Sequence, residues 1–152
     1  MTPNPVKQKL FAGGVSVGTM MFEFHSAGVA RVAAAAGAEF SIFDMEHTGW
    51  SVETIRMLCA TSHGTDAVPM VRVPATEYHF IARVLDMGAR GVMVPMVESV
   101  EQAQKIIQSA KYPPVGRRGC AFGVGHDDYS GGDPLAKMTH SNEQQLLIAQ
   151  IE

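Results

Sequence analysis

Phe40-Ser41-Ile42-Phe43-Asp44-Met45-Glu46-His47 is a short apolar run that ends in two acids and a histidine. Ahead of it, residues 27–36 form an alanine-rich helical pattern closed by Gly37, which has no Cβ to oppose a left-handed helix end. Behind it, Ser51 is placed to cap a helix through Ser62, with Glu53 in the first turn facing the positive end of the dipole. A strand between two helical patterns is the centre of a βαβ unit, whose crossover joins parallel strands with right-handed sense. In parallel α/β folds the carboxyl ends of the strands form the rim that carries chemistry. Asp44, Glu46 and His47 stand just past such an end.

The same alternation runs along the chain. Val15-Ser16-Val17-Gly18 reads as the first strand, Met70-Val71-Arg72-Val73 as the third and Gly91-Val92-Met93-Val94 as the fourth. Leu146-Leu147-Ile148-Ala149-Gln150-Ile151 reads as the fifth. Pro74 and Pro95 close the third and fourth, because proline cannot donate to a ladder. Helices are expected over residues 76–87 and 99–110, the second opened by a capping box of Ser99 and Gln102. Strands apolar on both faces suit a sheet covered by helices. Residues 111–134 lose periodicity, and a loop of that length reads as a lid or binding loop. The fold class is α/β in a single domain, 1–152. Five βα units exceed half of a (β/α)8 TIM-type barrel of about 250 residues. The expectation is either an open sheet or about the first five units of an incomplete barrel.

Composition narrows the function. With 152 residues, 46% hydrophobic and 18% charged, the chain is long enough for one sizeable core. A net charge of −3 gives no basic patch for nucleic acid. No run approaches the ~20 apolar residues of a membrane span, and the N-terminus has no apolar signal core. Cys59 and Cys120 lack CxxC spacing and read as reduced thiols. The expected setting is cytoplasmic.

Four positions carry the candidate chemistry. A histidine flanked by acids, as His47 is by Asp44 and Glu46, can be fixed in one tautomer and poised as a base near neutral pH. Arg72 inside an apolar strand needs anionic partners. Either it pairs structurally with Asp44, or it is a fork for a substrate carboxylate or enolate oxygen. Asp86, at a helix C-terminus, opposes the dipole and so should have a tertiary partner, for which His47 is the candidate. Glu152, after the fifth strand, is an oxygen ligand of the kind Mg²⁺ or Mn²⁺ takes. The string Tyr112-Pro113-Pro114-Val115-Gly116-Arg117-Arg118-Gly119 is a rigid turn able to present cations to a substrate or a neighbouring subunit.

Taken together, six strings resemble the HpcH/HpaI aldolase family, the metal-dependent (class II) 2-oxo-acid aldolases of the phosphoenolpyruvate/pyruvate barrel superfamily. They are Asp44-Met45-Glu46-His47, Val71-Arg72-Val73-Pro74, Leu85-Asp86-Met87-Gly88-Ala89, Val94-Pro95-Met96-Val97, residues 111–119 and Gln150-Ile151-Glu152. The resemblance implies a (β/α)8 barrel that makes or breaks a carbon–carbon bond between pyruvate and an aldehyde, using Mg²⁺, Mn²⁺ or Co²⁺. It implies that Glu152 ligates the cation and that Arg72 contacts the enolate oxygen. His47, supported by Asp44 or Asp86, manages the hydroxyl proton. Arg72, Gln150, Glu46 and Pro95 are the substrate-binding candidates it supplies, and a homo-oligomer, often a hexamer, is the assembly it implies. Family members continue past the strand-five glutamate to a second metal-binding aspartate. The chain is therefore expected to be part of a longer gene product, with little activity alone.

Two further readings stand beside this one. A CoA-ester carbon–carbon lyase of the citrate lyase β-subunit or malyl-CoA type uses related chemistry, although the Asp44–His47 string favours the aldolase. A non-catalytic half-barrel would act only by assembling with other chains. Specificity is expected in the loop 111–134 and in Trp50.

Overall fold

Helix starts follow the short polar side chains. In the computed structural model, which describes residues 2–152, Asn4 caps α1 (Pro5–Phe11) by accepting from Lys7 N. Ser51 caps α3 (Val52–Ser62), and Ser99 closes a full capping box with Gln102 at the start of α5 (Val100–Ala110). Asp133 accepts from the Leu135 and Ala136 N–H groups to open α6 (Pro134–Gln144). The remaining helices are α2 (Val29–Ala35) and α4 (Tyr78–Asp86). Each cap satisfies backbone donors that a helix leaves without internal partners.

The strands are β1 (Thr19–Met21), β2 (Phe40–Asp44), β3 (Val68–Arg72), β4 (Gly91–Val94) and β5 (Leu146–Ala149). Among the described residues they form one sheet in the order β1-β2-β3-β4-β5, every pair parallel. Sequential order matters. Successive right-handed crossovers without a reversal keep all the helices on one face, whereas a doubly wound sheet reverses and covers both. This is the (β/α)8 barrel pattern over five consecutive units.

The period of two along each strand splits the core accordingly. Phe43, Val71, Val92 and Val94 face the helices and pack with Ile55, Leu58, Ile81 and Leu85. Ile42, Val68, Met70 and Leu146 face the concave side, joined by Met20, Phe40, Met93 and Ile148. Helix α1 fills the amino end of that concavity through Val6. Its cap Asn4 donates from Nδ2 to Arg90 O at 3.0 Å and from its backbone N to Gln144 Oε1 at 2.7 Å.

The first strand lies three to four residues beyond the sequence reading of 15–18. Val17 already accepts from Glu39 N at 2.8 Å, but ladder pairing begins at Thr19. Gly18 is where the two chains meet most closely: a Cβ there would stand 2.4 Å from Phe40 O. Helix α1 was not anticipated, because seven residues are too few for a periodic signal.

The loop 111–134 follows α5, and α5 runs antiparallel to the strands. The loop therefore comes down at the amino ends of the strands, on the rim opposite Asp44. There Arg118 is buried, and its Nη2 donates to Asp86 Oδ1 at 2.5 Å. Its guanidinium lies 4.7 Å from the Tyr112 ring centroid. Asp127 is also buried, accepting from Gly123 N, Val124 N and Lys137 Nζ. Within one chain the expected specificity loop thus lies largely on the amino-end side of the sheet, with Gly119 N reaching the Tyr78 hydroxyl at the start of α4.

Candidate active site at the carboxyl ends of the strands

Strand register builds the centre of the site. Asp44 is paired with Arg72 across β2 and β3, both on the concave face. Arg72 Nε donates to Asp44 Oδ1 at 2.5 Å, and the Asp44 carboxylate is fully buried. Burial alone would push that carboxyl up. The bond from Arg72 and the N–H groups of His47 (2.8 Å) and Glu46 (3.2 Å) outweigh it and hold the group below its usual range. The structural ion pair anticipated for Arg72 is present. That pair uses Nε and leaves the two terminal nitrogens of the guanidinium for further contacts.

The segment after β2 is a turn wound on Asp44. Its carboxylate takes the Glu46 and His47 N–H groups, while Thr48 Oγ1 donates to Asp44 O at 2.6 Å and accepts from Trp50 N at 3.2 Å. The turn aims Glu46 back over the sheet, with Oε2 3.1 Å from Arg72 Nη1. His47 Nε2 lies 3.7 Å from Glu46 Oε1, on an imidazole that is 66% exposed. Glu46 Oε2 is buried without a hydrogen-bond partner.

Arg72 is the hub of these contacts. The Asp44 bond raises its pKa most, burial opposes, and the charges of Asp44, Glu46 and Glu152 add to the rise. Glu152 therefore lies within electrostatic reach of Arg72, beyond the end of β5. Gln150 donates from its backbone to Val94 O at 2.9 Å and from its side chain to Glu152. Pro95 is buried at the end of β4. The structure thus brings Asp44, Glu46, His47, Arg72, Gln150, Glu152 and Pro95 to one rim. Among the described residues Arg72 hydrogen-bonds through Nε alone; Nη1 stands 3.1 Å from Glu46 Oε2 without a hydrogen bond, and Nη2 has no partner.

Asp86 is the exception and requires a correction. Its expected partnership with His47 does not form. Helix α4 carries it down to the opposite rim, where it binds Arg118. Within one chain Asp86 cannot orient the imidazole. Arg118, read as a cation offered outward, is spent on that internal pair. Trp50 packs partly on the helix-side core and faces His25 at 5.8 Å between ring centroids.

Two residues at the rim escaped the sequence reading. Thr48 fixes the turn, and threonine four residues after an aspartate was a usable signal for it. Phe22 lies 5.6 Å from Arg72 Cζ, measured to its ring centroid. Its position follows from the period of two once β1 is placed at Thr19–Met21. Among the described residues, no three His, Cys, Asp or Glu side chains gather closely enough to hold a metal ion.

With this arrangement in place, comparison with known proteins is informative. The profile of the HpcH/HpaI aldolase/citrate lyase family matches residues 19–152. The chain belongs to this family. The hydroxypyruvate/pyruvate aldolase of Roseobacter denitrificans is 36% identical, the match covering 98% of this chain and 57% of that protein. The 4-hydroxy-2-oxovalerate aldolase of Novosphingobium aromaticivorans is also 36% identical, covering 98% and 56%. The crystal structure of an HpcH/HpaI aldolase from Desulfitobacterium hafniense superposes with a TM-score of 0.92 at 32% identity, covering 97% and 56%. The chain spans about half the length of these HpcH/HpaI relatives.

Proposed function

We propose that this chain supplies the oxo-acid-handling portion of a divalent-metal-dependent aldolase, a lyase that splits a 4-hydroxy-2-oxo acid into pyruvate and an aldehyde and can run in reverse. The observation that carries the proposal is Arg72, hydrogen-bonded through Nε to Asp44 and facing Glu46 Oε2 across 3.1 Å, with Nη2 left without a partner at the rim. With Nε held by Asp44 and Nη1 facing the charge of Glu46, Nη2 is the nitrogen turned to a substrate, and one such donor suits a single oxygen. The oxygen it suits is the C2 carbonyl, which becomes the enolate oxygen when the C3–C4 bond breaks.

The other side chains take roles consistent with their placement. His47, exposed at the mouth, accepts the proton of the C4 hydroxyl as the aldehyde leaves. Glu46 Oε1 lies 3.7 Å from its Nε2. Asp44 is a positioning residue, holding both Arg72 and the turn that carries His47.

The donor set also fits a hard cation in kind. Glu152 offers a carboxylate and Glu46 a buried oxygen without a hydrogen-bond partner, and oxygen ligands of this type suit Mg²⁺, Mn²⁺ or Co²⁺. Glu152 would hold the ion. When bound, such an ion polarises the substrate carbonyl as a Lewis acid. No helix among the described residues is long and apolar enough to cross a membrane. A cytoplasmic homo-oligomer, up to a hexamer, is the assembly proposed.

The deciding experiment incubates the protein with Mg²⁺ or Mn²⁺ and a panel of 4-hydroxy-2-oxo acids, with pyruvate release coupled to NADH oxidation. Pyruvate release that falls by up to about 10²-fold in Arg72→Lys is the expected outcome. Acetyl-CoA release from acyl-CoA substrates, without pyruvate, would instead support the citrate-lyase-type reading. A folded assembly that binds neither ion and releases neither product would point to a non-catalytic half-barrel.

A further inference from the structure

We propose that Phe22, with Met93 and Ile148, selects the 2-oxo acid by what its C3 carries, accepting hydrogen or alkyl and disfavouring hydroxyl. The inference rests on the aldolase reading and names the class of nucleophile at the same site.

The register supplies the argument. Asp44 pairs with Arg72, Arg72 with Met93, and Met93 with Ile148, so these four side chains form one row on the concave face. Met20 pairs with Ile42 one step below, and the period of two puts Phe22 beside Asp44 on the same face. The Phe22 ring stands 5.6 Å from Arg72 Cζ and is 42% exposed, open to a ligand. The ion pair is therefore flanked by hydrocarbon at both ends of its row. The step beneath is also apolar, with Met20, Ile42, Met70 and Leu146.

Chemistry then orients the oxo acid. Its C2 oxygen goes to Arg72 Nη2, and its carboxylate belongs with the charged and polar groups at the rim. C3, two bonds from the C2 oxygen, is left against the apolar row. A methyl or ethyl group there displaces water from Phe22 and Met93 favourably. A hydroxyl on C3 loses its bonds to water, and the side chains of Phe22, Met93 and Ile148 offer no hydrogen-bond group to replace them. The Roseobacter relative is named for both hydroxypyruvate and pyruvate. The quantity at issue is accordingly the ratio between them, not the use of pyruvate as such.

The test needs no aldehyde. Exchange of the C3 protons in D₂O is followed by NMR for pyruvate, 2-oxobutyrate and hydroxypyruvate with Mg²⁺ present, and binding of each is measured in parallel by saturation-transfer NMR. Pyruvate and 2-oxobutyrate are expected to lead hydroxypyruvate by about tenfold, within what an apolar pocket achieves against an added hydroxyl. Phe22→Ser should bring that ratio close to unity, while Phe22→Leu preserves it. Phe22→Asn reads the same ratio should the serine variant not fold. An unchanged ratio in Phe22→Ser overturns the inference. So does a uniform fall for all three acids, which would mean that the ring only steadies Arg72. Binding without exchange would overturn the aldolase reading alone, and the binding ratios then decide the selectivity. Absence of binding by all three acids overturns both.

Discussion

Two carboxylate–guanidinium pairs, each at 2.5 Å, sit at opposite ends of the same sheet, and they are built for different ends. Arg118 is entirely buried, lies over Tyr112 and is bound to Asp86, beneath the strands. Arg72 is hydrogen-bonded to Asp44 through Nε, faces Glu46 Oε2 through Nη1 without a hydrogen bond, and keeps Nη2 free at the rim. The first pair closes the floor of the fold. The second is fixed firmly enough to define a direction and left incomplete in that direction. Arg118 also leaves a donor over, its Nε, but encloses it, so an ion pair is informative through where its spare donors face, more than through its length.

Breaking each pair separates the two purposes. Arg72→Ala should reduce carbonyl-directed chemistry by about 10²–10³-fold, as loss of an oxyanion donor does. It should also lower stability by about 3 kcal/mol, because Asp44 is left buried and uncompensated near the water-exposed mouth. Chemical denaturation and pyruvate-release kinetics on one preparation check both. Asp86→Ala should cost about 3–5 kcal/mol, since Arg118 is enclosed, yet leave the affinity for a 2-oxo acid unchanged in the folded protein. A loss of affinity there would erase the distinction between the rims.

The remaining contrasts are smaller in stability. His47→Gln should lie within about 0.5 kcal/mol of wild type by denaturation because the ring is exposed. It should nonetheless lose about 10²–10⁴-fold in turnover. The pH response of Asp44 has a defined sign. Its folded-state pKa is depressed, so its contribution is fully present above the ordinary carboxylate value near about 4 and is lost as pH falls through the lower folded value. Denaturation midpoints from pH 7 downward should show this acid loss in wild type and a weakened one in Asp44→Asn.

Much of the fold was legible in the chain because local signals and global topology agree. Ser51, Ser99 and Gln102 cap the helices as read, and β4 spans the residues its apolar run marks. The Asp44-to-His47 string lies past a strand end, where a parallel sheet puts its chemistry. What failed was non-local. The partner of Asp86 depends on which rim a helix end reaches, and a loop that follows a helix returns to the amino ends of the strands. Helix α1 carried a usable Asn4-Pro5 start but is only seven residues long. Phe22 could not be placed while the first strand was set three to four residues too early.

Asn4 binds the carbonyl of Arg90 and the side chain of Gln144, which seats the first helix as a cork in the underside of the sheet. Anything fused ahead of Thr2 must consequently emerge on the side away from the mouth. An affinity tag or surface tether at that terminus would leave the opening facing bulk solvent, which makes it the natural handle for immobilising the protein in binding measurements.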